Sequence, residues 1–72
     1  MSSESYQKGK WRADVGVEEL ASGKFQGFVM LVHEDGAANR QQALHRALGV
    51  LDTMDAALAE AKMLARHLLG NL

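Results

Sequence analysis

The run Phe28-Val29-Met30-Leu31-Val32 is apolar at five consecutive positions, and it is the feature that most narrows what this chain can become. A short apolar run closed by turn signals reads as a strand. A strand apolar at both parities needs cover on both of its faces. Just before it lies "WRADVGVEEL", which alternates: Trp11, Ala13, Val15 and Val17 fall on one side and Arg12, Asp14, Gly16 and Glu18 on the other. That pattern predicts a half-buried strand over about 10–20, followed by a second strand from Phe25 to about His33.

Between the two lies "ASGK", where a Ser-Gly pair predicts a tight hairpin with Ser22 and Gly23 as a two-residue turn. Such a turn sets Leu20 opposite Phe25, Val17 opposite Phe28, Val15 opposite Met30 and Ala13 opposite Val32. One face is then strongly apolar, with Trp11, Val15, Val17, Phe28 and Met30 as its centre. Phe25, Val29 and Leu31 are left on the other face as a candidate interface. The turn "EDG", Glu34 to Gly36, ends the second strand.

The C-terminal stretch "DTMDAALAEAKMLARHLLGN" predicts a helix. Thr53 is its expected N-cap, Asp55 suits the first turn, Lys62, Arg66 and His67 suit the C-terminal half, and Gly70 is expected just past the end. Met54, Leu58, Ala61, Ala65 and Leu68 share one face, which packs on the sheet. The segment 41–51 is open to two readings. Its composition favours a helix, while Leu44, Leu48 and Val50 also fit the inward positions of a third strand.

The ending from Leu44 to Gly70, with Thr53, Ala57 and Ala61 at its junction, resembles that of small uncharacterised bacterial proteins in which a hairpin and a third strand lead into one C-terminal helix. Leu51 stands where that pattern carries an aromatic. The resemblance implies a ββ-β-α layout and no chemistry. The expected fold is therefore α+β, a three-stranded antiparallel meander with one C-terminal helix on one face. The alternative is ββαα.

With 72 residues the chain has room for one domain, whose first eight or so residues are expected to be loosely ordered. A chain of this size buries only about 60% of the surface its unfolded form exposes. It has no cysteine, so neither disulfides nor thiolate metal sites can compensate, and association with a second copy is the expected remedy. A homodimer is predicted. The start "MSSESYQKGK" lacks the apolar core of a secretory signal, and no run approaches a membrane span, so a soluble cytoplasmic protein is expected.

Motifs for catalysis are weak. His33, His45 and His67 are more than ten residues apart and lack the close ligand spacing of a metal site. The serines stand near no His-acid pair, and Asp52 and Asp55 suit a helix start better than paired acid-base work. No phosphate-binding glycine loop precedes a helix. No catalytic, cofactor or metal residue is assigned. Lys8, Lys10 and Arg12 share parity on an extended first strand and form the candidate contacts of an alternative, nucleic-acid-binding reading. Asp14 and Glu18 interrupt that row, and a net charge of −1 does not favour phosphate binding.

Overall fold

A computed structural model describes residues 4–35 and 39–72. Strands β1 (Glu4–Lys8), β2 (Trp11–Glu19), β3 (Phe25–Asp35) and β4 (Asn39–Arg46) form an antiparallel sheet in the order β1-β2-β3-β4, and helix α1 (Met54–Gly70) follows. The α+β class and the C-terminal helix agree with the sequence reading, but the sheet has four strands, not three. The extra strand is β1, in the polar segment expected to be loose. Lys8 pairs with Trp11, and Gly9 at φ 61° provides the left-handed backbone that the intervening tight turn requires.

The hairpin from β2 to β3 corrects the predicted register. Glu19 pairs with Phe25, Val17 with Gly27, Val15 with Val29 and Ala13 with Leu31. The Leu20 amide donates to the Lys24 carbonyl at 2.8 Å and the Gly23 amide to the Leu20 carbonyl at 2.9 Å. Three residues thus form the loop, with Gly23 at φ 85° in its last position. This is a type I turn followed by a left-handed glycine, one residue longer than a two-residue turn. Because side chains alternate with period two, that one residue exchanges the faces of β3.

Val29 and Leu31 consequently lie beneath the helix, at 0% and 8% exposure, joined by Ala13 and Val15 and by Leu58, Ala61, Ala65 and Leu69 of α1. Phe28 and Met30, expected in the core, face away from the helix beside Gly16 and Asp14. The largest fully buried side chains are only valines, Val29 beneath the helix and Val32 on the other face. Gly27 and the alanines Ala57 and Ala61 bring helix and sheet backbones close together.

Segment 41–51 carries strand, not helix, up to Arg46, because β3 presents a full edge whose backbone groups need partners; tertiary pairing overrides helix propensity here. After Ala47, whose amide still bonds the Gly27 carbonyl, the chain leaves the ladder and rejoins it at Leu51, whose amide and carbonyl bond Phe25 at 2.8 Å each. Residues 48–50 bow outward between these points. Leu44, Leu48 and Val50, expected to point inward, are all exposed. Leu44 lies on the helix-free side opposite Met30, and Leu48 sits at the crest of the bow.

Helix α1 begins as expected. Thr53 has extended backbone angles, φ −129° and ψ 153°, and its hydroxyl accepts the Ala56 amide at 3.2 Å. Gly70 is not the terminating residue; it belongs to the last turn, and Asn71 closes the helix. The helix lies on β2 and β3 and reaches β1. The predicted Glu34–Gly36 turn is not reached by the described part of β3, which continues through Asp35; Gly36 lies outside the described residues.

Candidate interaction surface

The face turned from the helix has an apolar centre and a charged rim. Register places Gly16, Phe28 and Arg46 in one lateral row, Asp14, Met30 and Leu44 in the next, and Arg12, Val32 and Gln42 in a third. The Phe28 ring lies across Gly16, where an added Cβ would stand 2.4 Å from the ring tip. Glycine at 16 therefore lets the ring fold down onto the sheet. Val32 is 1% exposed although it lies on this side, flanked across the strands by Arg12 and Gln42. Long polar side chains shield apolar surface in this way by laying their stems along it.

Two described cations of the rim, Arg12 and Arg46, are engaged by acids. Arg12 bonds Asp14 at 3.1 Å and Glu34 at 3.4 Å, and Arg46 bonds Glu18 at 2.9 Å. Each is an exposed pair of small energetic weight. Their effect on chemistry is larger: a guanidinium already held by carboxylates is a poor phosphate clamp, and the face as a whole suits an apolar contact bordered by polar groups.

The two edges of the sheet differ. At β1, Lys8 reaches over the end of the helix and donates to the Leu69 carbonyl at 3.0 Å, while Glu4 meets Lys62 at 3.1 Å. Both side chains tie this five-residue edge to α1. Tyr6 and then Lys62 hold the Glu4 carboxyl below its ordinary range by hydrogen bonding to its charged form. Strand β4 has eight residues, and among the described residues no strand lies beyond it. Gln41, Ala43 and Leu44 are exposed, and Leu44 retains 45% of its surface.

The bow after β4 extends this uncovered side. Gln26 holds it through a 2.8 Å bond from its amide to the Ala47 carbonyl, and the Glu60 carboxylate lies against Gly49 where a side chain would otherwise stand. Leu48 is fully exposed at its crest and Val50 is 45% exposed. Leu44, Leu48 and Val50 thus expose apolar surface along this stretch, separated by Arg46 and the buried Ala47.

The residues singled out from the sequence do not assemble as expected. Of Phe25, Val29 and Leu31, the last two are core residues and cannot form an interface; Phe25 is half-buried at the bridge to Leu51. The added loop residue is the cause. Lys8, Lys10 and Arg12 do not form a row, because the turn at Gly9 and Lys10 reverses the chain. Lys8 then shares the side of Trp11 and Arg12 lies on the other. His33 stacks on Trp11 with ring centroids 4.3 Å apart, His45 is in β4 and His67 in the last turn of α1. Among the described residues no three His, Asp or Glu side chains gather as a metal site.

Leu44, Phe28 and Met30 were the residues missed as surface. The available signal was Gly27, whose lack of a side chain marks close approach of the helix and so identifies the inward parity of β3. Comparison with known proteins leaves the geometry to speak for itself: no family model matches the chain, and no curated protein or solved structure matches it.

Proposed function

We propose that this protein is a small cytoplasmic binding or accessory module that acts as a homodimer, and not a catalyst. The observation that carries the reading is the uncovered β4 side: an eight-residue edge strand, Leu44 and Leu48 exposed, and the helix placed over β2 and β3. Open edges recruit strands, and soluble proteins usually blunt them with charge or cover. β1 is a short edge of five residues whose Glu4 and Lys8 are tied to the helix, whereas β4 has eight residues, of which Gln41 to Leu44 carry no charge. No described helix is long and apolar enough to cross a membrane. The nucleic-acid alternative loses the basic row on which it rested, since Lys8 and Arg12 lie on opposite faces and Arg12 is paired with acids.

The test is the mass in solution. Sedimentation of the unaltered chain at micromolar concentration should give a dimer, and Leu44→Lys should give a folded monomer, because a lysine on an edge opposes strand addition. A monomer that persists to millimolar concentration with intact circular dichroism would rule the reading out.

A further inference from the structure

We propose that two copies pair antiparallel through their β4 edges with Leu44 on the two-fold axis, joining the two sheets into one. This rests on the self-association reading and adds the surface and the register. The backbone sets the first restriction. The Ala47 amide donates to the Gly27 carbonyl at 2.9 Å. Alternate residues of an antiparallel strand turn their amides and carbonyls to the same neighbour. Gln41, Ala43 and His45 therefore address β3, and Gln42, Leu44 and Arg46 turn their backbone groups to the open side.

In a two-fold pair, outward residues must meet outward residues, so the numbers of any two partners sum to an even value. The axis then passes through a residue position and never between two. Four positions are central enough to serve. With Ala43 on the axis, Leu44 faces Gln42 of the second copy; with His45 there it faces Arg46, and with Gln42 there it faces the arginine at position 40. Only when Leu44 is itself on the axis does it meet an apolar partner, its own copy.

That register is also self-complementary on both sides of the sheet. Arg46 falls opposite Gln42 of the second copy, so no like charges oppose, and Ala43 falls opposite His45. On the helix-free face, Met30 neighbours Leu44 within each chain. Pairing about Leu44 makes an unbroken lateral row of Met30, Leu44, Leu44 and Met30 across the axis. A one-residue move of the axis breaks the row with a polar side chain.

The chain has no native cysteine, so single cysteines report the register directly. Directly opposed residues stand about 4.5 or 5.5 Å apart between Cα atoms, within disulfide reach. Under oxidised glutathione, Leu44→Cys should shift to twice the chain mass on a non-reducing gel. Ala43→Cys and His45→Cys should each stay single alone and cross-link when mixed. Gln42→Cys mixed with Arg46→Cys should do the same and uses exposed positions, in case the half-buried His45 does not tolerate change. Homodimers from Ala43→Cys, His45→Cys or Gln42→Cys alone would overturn the register while leaving self-association intact. A dimer by sedimentation with no cross-link at any of these positions would overturn edge pairing altogether, and a monomer would remove both this proposal and the reading beneath it.

Discussion

Gly27 and Ala57 meet almost backbone to backbone: a Cβ built on Gly27 would lie 2.4 Å from the Ala57 carbonyl oxygen and 2.7 Å from the Ala61 Cβ. Neither neighbour is the far end of a flexible side chain. Gly27→Ala should therefore lift the helix from the sheet and cost about 2 kcal/mol, as overpacking of a filled core does. Chemical denaturation measures it, and an unchanged midpoint would mean that the helix can slide without loss.

The two faces of β3 should answer charge differently. Val29→Glu places a carboxylate where Val29 has no exposure. Without a partner, such burial should unfold a domain whose total stability is of the order of 5 kcal/mol. Leu31→Glu should do the same. Met30→Glu, on the helix-free side beside Leu44, should keep native circular dichroism. A folded Val29→Glu would contradict the register.

Thr53→Ala should lower stability by about 1 kcal/mol, because the Ala56 amide loses the hydroxyl that satisfies it. Thr53→Ser should retain most of it. Thermal or urea midpoints compare the two.

Acid should weaken the fold through two exposed carboxylates. Lys24 holds the Asp52 carboxyl below its ordinary 3.8, and Tyr6 and Lys62 hold that of Glu4 below 4.5. A folded-state value below the unfolded one gives stability that is present at neutral pH and lost as pH falls through the folded value. The denaturation midpoint should thus decline below about pH 4.5. Asp52→Asn and Glu4→Gln should each flatten part of that decline, and an unaltered slope in both would show that other carboxylates govern it.

Elements with a single dominant signal were legible from sequence: the alternation of β2, the periodicity and Thr53 cap of α1, and the strand character of Phe28 to Val32. The face assignment was not. Phe28, Met30 and Val32 are as apolar as Val29 and Leu31, so pattern could not choose between parities, and a single residue in the loop ending at Gly23 decided it. Strand β1 was hidden for a different reason. Its residues are mostly polar because it is an edge strand whose charged ends bind the helix, so it carries almost no hydrophobic signature. The helix-free face followed the register: Phe28 and Met30 stand there where Val29 and Leu31 were expected.

The unequal edges of this sheet bear on how far assembly can proceed. A strand that pairs about its own centre is consumed by one encounter, and the resulting pair ends in two copies of β1. There Lys8 is bound to the helix terminus and Glu4 to Lys62. Each end is a strand of only five residues, against the eight of β4. Growth by strand addition would then stop at two chains, which separates a closed, soluble assembly from the open-ended stacking by which exposed edges give rise to fibres.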